Sequence, residues 1–326
     1  MRFPRLFAPD AGAVAGIVMV AGMVMVASGC GPSTTSSGPF ENGTVRVATA
    51  FYPIEEIVRA VGGAEVSVVD LVPPGESAHD YEPTPQQVTD LQSADVVFYL
   101  GSGFQPSVEK AIASLPSGVR KIDLLASVPL IATSPQLAGT DGQTEGEVLG
   151  DGNDPHVWLS PKNMQLMVAA VQESLTEVPG IDAAAVATGA TNYVATLSSL
   201  DTTFSTGLAS CASRVIVTSH RAFGYLAAAY DLTQLAISGI SPAEEPSAKT
   251  LEAVAKAARA DKVTTIFFEN NLPADLSRTI AREIGADTAV LDPVETLSSD
   301  QITLHATYAS VMEQNLAALV KGLGCR

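Results

Sequence analysis

The chain has 326 residues, 46% apolar and 16% charged, with 35 Asp and Glu against 18 Lys and Arg and a formal net charge of −17. That balance leaves no basic footprint for phosphates, which excludes a nucleic-acid binder, and the apolar fraction is that of a chain with a core to bury, which excludes a disordered one. The length suits two domains of ordinary size.

Arg2 and Arg5 precede residues 11–28, a run without a charged side chain. The run is long enough to span a bilayer. Its flanks, a basic start followed by an apolar stretch and small residues, are those of a secretory signal. An uncleaved anchor helix is the alternative. The run ends Ala27-Ser28-Gly29-Cys30, which resembles the lipobox of bacterial lipoproteins, with Ala27 where Leu is more usual. The resemblance implies a signal peptide over 1–29 and a lipidated Cys30 holding the protein outside the cell membrane. Residues 31–39 are Gly, Pro, Ser and Thr only, so 30–43 read as the lipidated cysteine and a flexible tether. With Cys30 assigned to lipid, Cys211 and Cys325 remain as one disulfide of an exported protein. Two unrelated buried thiols are the alternative.

The remainder reads as two α/β halves. Short apolar segments at 44–50, 64–72, 95–100 and 119–124 predict strands, with helical stretches between them. Thr84-Pro85-Gln86-Gln87 is a helix start, with Thr84 as N-cap, Pro at the first helical position and Gln at the third. Ser160-Pro161 starts another helix, whose apolar stripe (Met164, Met167, Val168, Val171, Leu175) is core packing. Strands are predicted again at 214–219, 234–239, 264–269 and 288–292, and Ser247 caps a helix. Residues 182–210 lack Pro and space Val194, Leu197, Leu200, Phe204 and Leu208 as one helix does. The predicted fold is therefore α/β: two domains, 44–181 and 211–326, each a mostly parallel four-stranded sheet flanked by helices, joined by one long rigid helix over 182–210. Residues 133–155, Gly-rich and acidic, predict a mobile surface loop.

Four histidines are present. His79 follows the second predicted strand, His156 precedes a helix start, and His220 directly follows the strand RVIVTS. Ligands of open α/β sheets gather at the carboxyl ends of strands, a placement shared by Asp292 at the end of TAVLD. Three imidazoles and a carboxylate make a tetrahedral site for Zn²⁺. Spacing alone does not establish one, since separated histidines also occur as core or surface residues. His305 is read as a surface residue early in the C-terminal helix. Glu76 and Asp80 flank His79 and are candidates to orient it, while Trp158, Phe223 and Tyr225 are read as packing beside the site.

Six segments, AHDYEPTPQQ, DPHVWLSPKN, TSHRAFGYLA, ISPAEEPSAKTL, VLDP and YASVMEQNLAAL, resemble in kind and order those of the zinc- and manganese-binding solute receptors of ABC transporters (cluster A-I). The resemblance covers nearly all of 44–324. It implies metal ligation by His79, His156, His220 and Asp292, and delivery of the ion to a permease and its ATPase. The third ligand is His in zinc-type members and Glu in manganese-type ones, so His220 points to Zn²⁺ as transported ligand, in line with the preference of Mn²⁺ for oxygen. The receptor is expected to be a monomer. In one place the chain departs from zinc-type members: the loop 133–155 carries Asp141, Glu145, Glu147, Asp151 and Asp154 where many have a His-rich stretch.

A manganese-type receptor and a surface adhesin of the same family are the alternatives. A zinc hydrolase is a weaker one, because catalytic zinc keeps an open water position and no HExxH helix is present. The expectation is a receptor, not an enzyme.

Overall fold

A computed structural model describes residues 40–326 except 42, 133–151, 244, 271 and 273. The expectations for the signal peptide, Cys30 and the tether, and for Asp141, Glu145, Glu147 and Asp151, lie outside the described residues. Among the described residues no helix is long and apolar enough to cross a membrane.

The first sheet is built from β1 (Val45–Thr49), β2 (Val66–Asp70), β3 (Val96–Tyr99) and β4 (Arg120–Asp123), in the order β2-β1-β3-β4. The second is built from β5 (Val215–Thr218), β6 (Thr233–Ala236), β7 (Thr265–Phe268) and β8 (Asp287–Val290), in the order β6-β5-β7-β8. Every pairing is parallel. The two sheets thus repeat one topology, and in each the strand order reverses beside the first strand, where a crevice opens at the carboxyl ends.

The helices are α1 (Tyr52–Gly62), α2 (Pro85–Gln92), α3 (Pro106–Ala113), α4 (Pro161–Thr176), α5 (Ala183–Gly207), α6 (Gly224–Ala229), α7 (Ala248–Ala260), α8 (Asp275–Ile284), α9 (Ser299–Thr303) and α10 (Tyr308–Gly322). Their starts are written in the side chains. Thr84 and Gln87 close a reciprocal capping box at α2; Ser160 accepts from the Asn163 amide at α4; Ser247 does the same for Thr250 at α7. Each satisfies an amide that the first helical turn leaves unpaired.

The long helix α5 begins on Asp182, whose carboxylate accepts from the Ala184 and Ala185 amides. It packs on α1 and α4 of the first half and on α10 of the second. Gly189 permits the close approach to α1: a Cβ there would sit 2.4 Å from the Val61 carbonyl oxygen. One apolar cluster runs from the first sheet through Leu197 and Phe204 of α5 to Tyr308 and Leu319 of α10. A second, around Val217, Val254, Ile266 and Ile280, packs α7 and α8 against the second sheet. Cys211, just past α5, is disulfide-bonded to Cys325, 114 positions away in the chain.

His305 is exposed, as expected of a surface residue, but it is not in the C-terminal helix. It sits between α9 and α10 with φ 52°, and α10 starts only after Thr307, which caps it. The left-handed conformation ends one helix so that the next can start.

Candidate metal centre

The site collects loops at the carboxyl ends of both sheets. His79 lies in the loop after β2, and His156 immediately precedes a 3-10 turn, Val157–Leu159, that leads into α4. His220 stands just beyond β5, and the loop after β8 carries Asp292 and Glu295. All three histidines and Glu295 are buried.

One donor atom from each of His79, His156, His220 and Glu295 lies within 4.8 Å of the others. His79 Nε2 is 3.2 Å from His156 Nε2 and 3.4 Å from Glu295 Oε1. Glu295 Oε1 is 3.5 Å from His220 Nε2 and 3.9 Å from His156 Nε2. A tetrahedral zinc ion with bonds of about 2.0–2.1 Å needs donors roughly 3.3 Å apart, so this spacing suits such an ion. His220 Nε2 and Glu295 Oε1 are buried and have no hydrogen-bond partner among the described residues. Buried polar atoms are normally paired, and two unpaired ones facing each other are what a cation would satisfy.

The far side of two imidazoles is fixed by carboxylates. Asp154 Oδ1 lies 2.8 Å from His156 Nδ1, and Glu269 Oε1 lies 2.7 Å from His220 Nδ1. Such a partner sets the tautomer, leaving Nε2 free to bind, and makes the imidazole a better donor. The two rings differ electrically. Burial holds His156 below its ordinary pKa despite Asp154. At His220 burial also pulls downward, but Glu269 and Glu295 outweigh it and push the ring up to about 10. Burial would raise Glu295, yet His79 and His220 hold it well below the usual carboxylate range.

Aromatic rings wall the site. Phe104 stands edge-on to His79, with ring centroids 4.7 Å apart, and Trp158 lies 5.2 Å from His156. Trp158, Phe223 and Tyr225 are all buried, in the packing positions expected of them.

The structure brings together three of the four residues expected from the sequence as ligands. The fourth, Asp292, is engaged elsewhere. Its Oδ1 accepts from the Val294 amide and its Oδ2 from Gln301 Nε2. Its backbone is gripped on both sides by Asn315. Val294 then takes a left-handed φ of 56°, which swings the chain so that Glu295, not Asp292, faces the histidines. A buried β-branched residue in that conformation is strained, at a cost of about 1–3 kcal/mol. Glu76 and Asp80 are exposed; the carboxylates against the site's imidazoles are Asp154, Glu269 and Glu295. Sequence reasoning missed Glu269, although it closes the predicted strand TTIFFE and so carried the same strand-end signal as His220.

Two repeated parallel sheets with a buried three-histidine, one-carboxylate set between them define an α/β protein whose donor set could hold a metal ion. Residues 47–322 match the family described as zinc-uptake complex component A, periplasmic (ZnuA), and the chain belongs to that family. It is 33% identical over 280 residues to the zinc-binding lipoprotein AdcA of Streptococcus pneumoniae, a match covering 85% of this chain and 56% of AdcA. The chain therefore spans a little over half the length of that relative. It is 30% identical to the high-affinity zinc uptake system protein ZnuA of Bacillus subtilis, covering 94% and 97% of the two chains. The crystal structure of the Zn(II)-bound ZnuA-like domain of S. pneumoniae AdcA superposes with a TM-score of 0.72 at 33% identity, covering 86% of this chain and 99% of that one.

Proposed function

We propose that the protein is an extracytoplasmic receptor that captures Zn²⁺ between its two halves and delivers it to an ABC permease and its ATPase. The observation that carries this reading is the convergence of His79, His156, His220 and Glu295, with the His220 and Glu295 donor atoms buried and without a hydrogen-bond partner among the described residues. In this reading all four are metal ligands. The nitrogen-rich set favours Zn²⁺ over Mn²⁺. Four protein donors close the coordination sphere, which suits capture and release of a cargo ion, whereas catalysis keeps a position open for water.

Zinc binding is supported by family membership and by the names of the relatives. The two halves, 44–181 and 211–326, act as domains joined by the helix over 182–210. Cys30 carries the lipid anchor, and the protein works as a monomer tethered outside the membrane.

Chelator competition on the purified protein tests the reading. One Zn²⁺ per chain is expected, with His220→Ala losing most of the affinity and His305→Ala none of it. Unchanged affinity in His220→Ala would remove the proposed site.

A further inference from the structure

We propose that Tyr225 and Gly224, on the second half, position His156, a ligand contributed by the first half. The inference rests on the proposed role of His156 in holding zinc. Tyr225 is the second residue of α6, buried, and its hydroxyl makes two bonds across the molecule. It accepts from the Ile131 amide at 2.9 Å and donates to the Asp154 carbonyl oxygen at 2.9 Å. The Asp154 amide donates to the Ile131 carbonyl at 2.8 Å, and Ala132 and Asn153 form an antiparallel bridge beside it. One hydroxyl thus ties together the two chain segments that meet at Asp154.

Asp154 is the residue that orients His156, accepting from its amide at 2.9 Å and contacting Nδ1 at 2.8 Å. Gly224 completes the seat. A Cβ at Gly224 would come 2.5 Å from Asp154 Oδ2, so the carboxylate rests where only glycine leaves room. The run His220–Tyr225 therefore acts on the metal site twice, presenting His220 directly and setting His156 through Asp154. Withdrawal of the second half would loosen both imidazoles together, a route by which a closed four-donor site can release its ion.

Tyr225→Phe removes one oxygen and keeps the packing. Zinc dissociation constants from chelator competition should rise about ten- to a hundredfold, the usual cost of losing an outer partner of a ligand. The visible spectrum of the Co²⁺-loaded protein should change as well. Gly224→Ala should do the same by displacing the Asp154 carboxylate. In an Asp154→Ala background, adding Tyr225→Phe should cost less than about twofold more, because both changes act through one group. Equal losses in the two backgrounds, or a Tyr225→Phe protein with unaltered zinc affinity and Co²⁺ spectrum, would overturn the assignment.

The wild-type protein supplies a readout independent of whether any variant folds. Coupling is reciprocal, so zinc must slow hydrogen exchange at the Ile131 and Asp154 amides relative to those of β1. Unchanged exchange at both amides contradicts the inference. Absence of zinc binding by the wild-type protein would instead remove the proposed function, and this inference with it.

Discussion

Trp158 Nε1 donates to the Pro293 carbonyl at 2.7 Å, joining the lone tryptophan of the first half to the loop that carries Glu295. The Trp158 carbonyl in turn accepts from the Tyr308 hydroxyl at 2.6 Å, at the start of α10. The same loop meets the His79 segment directly, where the Gly75 amide donates to Thr296 Oγ1 at 3.0 Å. The carboxylate between the histidines is thus held from both sides of the cleft. Trp158→Phe should destabilise the protein by about 1–3 kcal/mol for the carbonyl left unpaired, with a further loss from the missing volume. Urea unfolding measures the first effect, and a parallel fall in zinc affinity would show that the loop has slackened. Unaltered stability would mean that the bond contributes nothing.

Glu295 and Asp292 should separate in their phenotypes. Glu295→Ala removes a proposed ligand and should raise the zinc dissociation constant strongly; it also takes a buried carboxylate away from His79 and His220, so a lower metal-free melting temperature should accompany the affinity loss. Asp292→Asn perturbs the bonds to Val294 and Gln301, so it should lower the melting temperature first and affinity second. The reverse pattern, with affinity lost at Asp292 and kept at Glu295, would restore Asp292 as the fourth ligand.

Zinc binding should release a proton from His220 near neutrality. In the metal-free protein Glu269 and Glu295 hold this ring protonated up to about pH 10, whereas a ligating Nε2 must be bare. The sign follows. A raised pKa stabilises the metal-free fold fully below the ordinary histidine value, and that contribution is lost as pH rises through about 10. Zinc affinity runs the other way and falls with acidification. His156, held below its ordinary pKa, is already neutral at about pH 7 and adds no proton. Calorimetry in buffers of different ionisation enthalpy should find more protons released by the wild type than by a His220→Gln variant that retains measurable binding. Equal release would contradict the proton placement, and equal affinity at about pH 7 and about pH 5.5 would contradict histidine ligation altogether.

The disulfide should matter to stability and not to the metal. Cys211–Cys325 closes a loop across 114 positions and ties the end of α5 to the end of α10. Replacing both cysteines with serine should cost about 2–5 kcal/mol in urea unfolding and leave zinc affinity within about twofold. A large affinity loss would show that the second half tilts when its last helix is untied.

Much of the fold was legible in the sequence because the chain uses local signals plainly. The strands are mostly short β-branched or aromatic runs, and the caps at Thr84, Ser160 and Ser247 stand where the backbone needs an acceptor. His220 follows its strand so closely that strand-end reasoning places it at once. The fourth donor was not legible for a physical reason. Asp292 is the first carboxylate past β8, but its side chain is short enough to bond back to the Val294 amide, and the left-handed Val294 delivers the longer Glu295 instead. Nothing in residue type announces a valine with positive φ, since that conformation is set by the packing around it. Glu269 reaches His220 only because β5 and β7, distant in the chain, lie side by side, whereas Asp154 stands two positions before His156 and meets it locally. The sequence TLHATYASVM keeps a helical apolar spacing through His305, which hides the break that Thr307 makes by capping α10.

X-ray absorption at the zinc edge of the zinc-loaded protein tests ligation by the three histidines and Glu295 most directly. A first shell of three imidazole nitrogens and carboxylate oxygen at about 2.0–2.2 Å is expected, with one imidazole fewer in His220→Ala. A shell with fewer than three imidazoles in the wild type, or one unchanged in His220→Ala, would contradict it.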